Sequence, residues 1–217
     1  AEGAGITDGR VAAWARTNGF KGARGELLAV PGDDGGVQAV LWGVGEAFDP
    51  MTARALAPRL PAGDYAFEGM KGDDAALAAL AFALGAYKFD RYKPKKAKGA
   101  ARLVAPESVD LGDLTRIAAA AALAREMVDT PAADMGPLQI ETIAREIAEE
   151  SGAAITVTTG DALLEANYPE VHAVGRAATA LRAPRLIEIG WNLDKTELPL
   201  VALVGKGVVF DTGGLDI

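Results

Sequence analysis

Leu198-Pro-Leu-Val-Ala-Leu-Val-Gly-Lys-Gly-Val-Val-Phe-Asp-Thr-Gly-Gly214 is the stretch on which the fold reading turns. After Pro199 the run to Val204 shows no polar alternation, as a strand buried on both faces in the middle of an α/β sheet does. Sheets of that kind bind ligands outside the carboxyl ends of their strands. Lys206 and Asp211 stand just there in the sequence. Gly205, Gly207, Gly213 and Gly214 let the backbone turn tightly and come close to whatever is bound.

Three chemistries suit such a segment. A phosphate loop needs Gly, four residues, then Gly-Lys-Ser/Thr. Lys206 is followed by Gly207 and position 200 is leucine, so the pattern fails. An ion pair between Lys206 and Asp211 across the glycine turn is a purely structural alternative. A metal site is the third, because aspartate is a ready ligand for a divalent cation. Lysine must be neutral to serve, and burial beside a cation lowers its pKa in that direction.

Working outward, Ala154 to Thr159 and Arg185 to Trp191 read as strands. A helix precedes them, opened by Gly136-Pro137 and closed by Gly152, with Ile140, Ile143, Ala144 and Ile147 as its stripe. The spacing of Leu114, Ile117, Ala121, Ala124 and Val128 predicts another helix, stopped by Pro131. Residues 161–166 suggest a short helix. Nearer the start, residues 26–30 and 37–42 flank Pro31-Gly-Asp-Asp-Gly-Gly36 and predict a hairpin. A helix is expected over residues 73–87, with Asp73 and Asp74 at its start and Leu77, Leu80, Ala81 and Leu84 on one stripe. A short helical stretch is expected near residues 11–16, and prolines break residues 50–64. Strands interleaved with helices imply an α/β fold. The expected plan is an N-terminal α/β domain over residues 1–107, a linking helix over 108–130, and the first part of an α/β/α domain with a mixed central sheet over 131–217.

Composition narrows the partners. The chain has 217 residues, half of them hydrophobic, and a net charge of −8. Phosphate binding calls for surplus Lys and Arg, so this charge argues against nucleic acid or an anionic membrane as the main partner. A basic stretch does occur, with Lys88, Arg91, Lys93, Lys95, Lys96 and Lys98 around Phe89 and Tyr92. It would suit a non-catalytic binding module, with the aromatics stacking on bases. A solvated loop between domains explains it at less cost. Cysteine is absent, which excludes disulfides and thiolate metal sites. The longest apolar stretches fall short of the roughly 20 residues that span a bilayer. The N-terminal residues lack the basic and apolar regions of a signal peptide. A cytoplasmic location is expected. His172 is the only histidine, and with no partner at helical spacing it reads as structural. Asp33-Asp34 reads as a turn and Asp73-Asp74 as a helix start.

Residues 204–214 closely resemble the signature of the leucyl aminopeptidase family, the M17-type two-metal peptidases. Thr212 stands where the family usually has Ser. Asp129-Thr-Pro-Ala-Ala-Asp-Met-Gly-Pro137 is similar to the family's segment between its interdomain helix and its catalytic domain. Ala173-Val-Gly-Arg-Ala177 and Ala183-Pro-Arg-Leu-Ile187 also fit its spacing. The likeness is good over residues 113–217 and loose before them. It implies removal of N-terminal, leucine-like residues from peptides, with two divalent ions, zinc or manganese, activating a water. Lys206 would bind one ion and Asp211 would bridge both, supported by Gly205, Gly207, Gly213 and Gly214. A homo-oligomer, a hexamer in the family, is implied too. The family's second lysine and its remaining carboxylate ligands have no counterpart among these residues. Two side chains cannot hold two divalent ions, each of which needs at least about four ligands. A polypeptide of these 217 residues is therefore expected to be inactive alone, with no catalytic residue beyond the partial metal set.

Overall fold

The computed structural model describes residues 8–93 and 99–209. The chain divides into two compact units, Ala1–Glu126 and Met127–Ile217. Helices and short strands alternate through both, as the α/β reading expects.

In the first unit, helix α1 (Gly9–Thr17) starts at Asp8, whose carboxylate accepts the Arg10 N–H at 2.7 Å. That satisfies one of the orphan donors of a helix start. Val11 and Ala15 are buried, and the Trp14 indole N–H donates to the Ala29 carbonyl at 3.0 Å. Strands β1 (Leu27–Pro31) and β2 (Val37–Trp42) form the expected hairpin, antiparallel, with a bulge at Val30/Pro31. In its loop Asp34 accepts the Gly36 N–H at 2.9 Å, and Asp33 pairs with Arg10 at 2.7 Å. These carboxylates shape and tie the turn, as the sequence implies.

Three features of this unit are not legible in the sequence. A 3-10 turn spans Pro50–Ala55, inside the proline-broken segment. Strands β3 (Gly63–Tyr65) and β4 (Ala101–Leu103) pair in parallel although each has only three residues. Helix α2 (Gly72–Gly85) is where expected, with Asp73 and Asp74 in its first turn, but it turns a different face inward. Its buried residues are Ala75, Ala78, Ala79, Ala81 and Phe82, while Leu77 is exposed. The expected stripe is thus corrected in part: its Ala81 is buried and its Leu80 and Leu84 half-buried, but the fully buried face is made of alanines and Phe82 rather than leucines. The reason is closeness: a Cβ added at Gly85 would lie 1.9 Å from the Arg54 carbonyl oxygen. At Gly85 even a methyl group would not fit, so glycine and the neighbouring alanines carry the close approach to the 3-10 turn, and Phe82 is the one large side chain buried on α2. Ala53, Leu56, Ala78, Ala81 and Phe82 make the core there, with Trp42 and Phe67 packed against it at a ring separation of 6.1 Å.

Helix α3 (Leu111–Asp129) has the expected extent and ends one residue before the Thr130-Pro131 pair. None of its residues is buried, and Ile117 and Val128 of the expected stripe are exposed.

In the second unit, helix α4 (Pro137–Ser151) ends at Gly152 with φ +67°, the left-handed cap that glycine takes without cost. The Gln139 side chain folds back to accept the Gly136 N–H at 3.0 Å. Ala144 and Ala148 are its buried residues, and Ile147 of the expected stripe is exposed. Strands β5 (Ala154–Thr159) and β6 (Arg185–Gly190) pair antiparallel, from Ala154↔Gly190 to Thr159↔Arg185. Between them lie α5 (Ala162–Glu165) and α6 (Pro169–Gly175), the latter not foreseen. Leu163 of α5 is fully buried.

Residues 198–204 are the main correction. They carry the composition of a central strand, but no strand forms there. Leu200, Val201, Leu203 and Val204 are 76–97% exposed. A strand buried on both faces needs neighbours on its edges and layers above and below it. Among the described residues nothing supplies these.

Candidate metal centre

The segment that would hold the site leaves β6 through a tight turn. Asn192 has φ +56°, a conformation asparagine tolerates, and the Lys195 N–H donates to its carbonyl at 3.1 Å. The Leu198 N–H then bonds the Lys195 carbonyl at 3.1 Å. Beyond that turn the chain runs free of regular structure to residue 209. Gly205, Lys206 and Gly207 are all exposed, and a Cβ at either glycine would meet nothing within 4 Å. The close backbone approach that these glycines permit is therefore not made here. Asp211, Gly213 and Gly214 lie outside the described residues.

Among the described residues no group of three His, Cys, Asp or Glu side chains converges as a metal would require. Lys206 is exposed to solvent. The described residues by themselves do not fit a divalent ion.

Polar convergence does occur elsewhere in this unit. Glu141 of α4 receives Arg145 on one carboxylate oxygen, Nε to Oε1 at 2.9 Å, and Arg185 of β6 on the other. Arg185 and Glu141 are nearly buried, with side-chain exposures of 6% and 13%. The hydrogen bond from Arg145 chiefly holds the Glu141 carboxyl below the usual carboxylate range, burial opposes it, and Arg185 adds to the lowering. Both carboxylate oxygens are engaged by guanidinium groups, so this is a clamp between helix and strand rather than an acid or base. The Glu141–Arg145 spacing of four is readable in the sequence. Arg185 lies 44 residues away and gives no such signal.

Arg182 makes a second tie. One of its terminal nitrogens donates to the Ala132 and Ala133 carbonyls at 3.0 and 2.8 Å. It thereby fixes the segment between α3 and α4, where Thr130 is buried. His172 places Nε2 3.1 Å from Asp161 Oδ1, joining α6 to the start of α5. That is the structural part assigned to it from sequence.

The basic stretch is described only in part, as Lys95, Lys96 and Lys98 lie outside the described residues. Phe89 and Tyr92 meet edge to face at 5.8 Å. Arg91 reaches Glu126 at 3.9 Å, and Arg125 lies 5.7 Å from the Tyr87 ring centre while donating to the Leu84 carbonyl at 2.5 Å. The aromatics and Arg91 are engaged with the protein itself, which favours a solvated, anchored loop over a base-stacking platform.

Comparison with known proteins bears on both units. The sequence profile of the M17 aminopeptidase N-terminal domain matches residues 4–106. That of the cytosol aminopeptidase family catalytic domain matches residues 122–217. A relative from Rhodococcus opacus, named "Probable cytosol aminopeptidase", is 38% identical over 66% of this chain and 31% of its own length. One of the same name from Streptomyces coelicolor is 31% identical over 97% of this chain and 48% of its own. The chain thus spans about half the length, or less, of these curated relatives. Among solved structures, the cytosol aminopeptidase of Coxiella burnetii matches with a TM-score of 0.75 and 31% identity, over 85% of this chain and 40% of that one. The bottromycin maturation enzyme BotP, solved in complex with Mn, matches with a TM-score of 0.65 and 28% identity, over 82% of this chain and 41% of its own.

Proposed function

The chain belongs to the M17 cytosol aminopeptidase family, and on that premise we propose that it is part of a metal-dependent aminopeptidase that hydrolyses the first peptide bond of its substrates. Leucine-like N-terminal residues are the proposed preference. The observation that carries the reading is the catalytic-domain likeness running through residues 122–217, with Lys206 and Asp211 set among glycines at its end. Both are donor types that a divalent ion accepts once lysine is neutral. We assign Lys206 to one ion and Asp211 to a bridge between two ions of zinc or manganese. The cation would act as a Lewis acid on the scissile carbonyl and lower the pKa of a bound water.

The residues described here do not make such a centre alone. The reading therefore assigns the remaining ligands to groups outside this chain. A homo-oligomer, hexameric by family resemblance, working in the cytoplasm completes the proposal. Its domain plan is an N-terminal domain over residues 1–107, α3 within a connector over 108–130, and catalytic-domain residues from 131 onward.

Two measurements test it. In the complete, metal-loaded enzyme, Lys206→Ala is expected to lower kcat/KM on an N-terminal leucine substrate at least about 100-fold. Even second-shell partners of a metal ligand are worth 10–100-fold. Activity within a few-fold of the parent would overturn the assignment of Lys206. For the 217-residue polypeptide, isothermal titration is expected to show no tight stoichiometric zinc binding, and such binding would sink the partial-site reading.

A further inference from the structure

Of the chain's three asparagines, Asn18, Asn167 and Asn192, only Asn18 precedes a glycine. Asparagine followed by glycine is the sequence most prone to spontaneous deamidation, because no Cβ on the next residue shields its backbone nitrogen. Asn18 and Gly19 are exposed, and a Cβ at Gly19 would meet nothing within 4 Å. Water and hydroxide reach the pair freely.

Three features of the folded chain oppose the reaction. Asn18 is the C-cap of α1 with φ −91° and ψ 6°. At a ψ near zero the Gly19 nitrogen eclipses the nitrogen of Asn18 instead of lying on the Cβ side, where ring closure needs it. The carboxamide Nδ2 donates to the Trp14 carbonyl at 2.9 Å, which holds Cγ turned back along the helix. The Gly19 N–H, whose proton must leave before attack, donates to the Arg16 carbonyl at 3.1 Å. All three depend on the last turn of α1. That helix has nine residues, a length that is marginal without its packing.

We propose that Asn18-Gly19 is a masked deamidation site, blocked by the C-terminal cap of α1 and released when that helix opens. In the open form Gly19 loses its amide proton to hydroxide and its nitrogen attacks Asn18 Cγ. The N–Cγ bond forms, the Cγ–Nδ2 bond breaks, and the amide nitrogen leaves as ammonia with a proton from water. Water then opens the succinimide at either carbonyl, giving aspartyl or isoaspartyl at position 18. The product does not restore the cap. A carboxylate has no N–H to give the Trp14 carbonyl, and negative charge at a helix C-terminus is unfavourable. An isoaspartyl link also adds a backbone atom. Reaction therefore shifts α1 toward its open form, with Val11, Ala15 and the Trp14–Ala29 bond at stake.

The test is peptide mass mapping of the 217-residue chain during incubation at one mildly alkaline pH, native and in urea. Native deamidation at Asn18 is expected to be at least about tenfold slower than in urea, as opening-gated chemistry requires. Asp8→Ala removes the N-cap at the other end of α1, without touching the reacting atoms. It is expected to raise the native rate about fivefold, the usual worth of such a cap, and to leave the rate in urea unchanged. Equal native and urea rates would overturn the proposal, and so would a native rate indifferent to Asp8→Ala. If Asp8→Ala does not fold, amide exchange in α1 of the isolated deamidated parent replaces it. Faster exchange there supports the proposal and unchanged exchange refutes it.

Discussion

Replacing Glu141 with glutamine should separate the two arginines that share it. The change keeps the side chain's size and one acceptor but removes the charge facing Arg185, whose side chain is only 6% exposed. Removing one partner of a buried ion pair costs about 3–5 kcal/mol, mainly by stranding the other charge. Glu141 is 13% exposed and glutamine keeps an acceptor, so we expect about 2–3 kcal/mol for Glu141→Gln. Arg145 is 52% exposed and four residues along the same helix, so Arg145→Ala should cost no more than about 0.5 kcal/mol. Arg145 comes first in lowering the Glu141 pKa, so a stability loss carried mainly by the stranded Arg185 reverses that order. The reversal is physical: the pKa reports attraction felt by the carboxylate, whereas truncation also exposes the unmet desolvation of Arg185. Replacing the pair together, as Glu141→Leu with Arg185→Met, should recover much of the loss, since apolar residues substitute well for buried pairs. Amide exchange in β5 and β6 during urea titration is the assay. The carboxyl titrates below its unfolded value of about 4.3. Its contribution is therefore complete above that pH and is lost as pH falls through the folded value. The gap between parent and Glu141→Gln should close as the solution is acidified below about pH 4. A loss under about 0.5 kcal/mol, or one matched by Arg145→Ala, would refute the clamp.

Two further outcomes are expected. Gly85→Ala should lower Tm, with a cost of about 1–3 kcal/mol for overpacking. Its Cβ would meet the Arg54 carbonyl oxygen at 1.9 Å, and a rise in Tm, as helix propensity alone would give, counts against the close approach. Asp64→Asn should leave the urea midpoint of the first unit unchanged within replicate error. Arg102 holds that carboxylate at 2.6 and 3.1 Å and its hydrogen bond lowers the pKa, but both side chains stand largely in water. A clear loss of stability would show that the β3–β4 pairing depends on this ion pair.

Much of the local structure was legible because it depends on local rules. The hairpin flanking residues 31–36 follows from apolar runs around a glycine-rich turn, and Gly152 closes α4 as a left-handed cap. Pro131 limits α3, and Pro137 opens α4. The choice of faces was not legible. A stripe of Leu77, Leu80, Ala81 and Leu84 was expected inward on α2, yet Leu77 is exposed and alanines with Phe82 are buried, where the neighbouring backbone lies close to Gly85. The parallel β3–β4 pair joins three-residue strands 38 positions apart, too short and too distant for a pattern to show. Arg185 was invisible as a clamp for the same reason of separation.

The sequence by itself determined the chemistry on offer: a lysine and an aspartate spaced among glycines, a family likeness along both units, and a chain without thiols. These are properties of residue order and need no neighbours. Tertiary structure decided which of those residues have company. Residues 198–204 read as a central strand, but being central is a relation to other strands and layers. Among the described residues nothing covers Val201, Leu203 or Val204, and Lys206 stands in water. Burial and ligation are made by what surrounds a residue, so an apolar run can announce a strand that its surroundings do not supply.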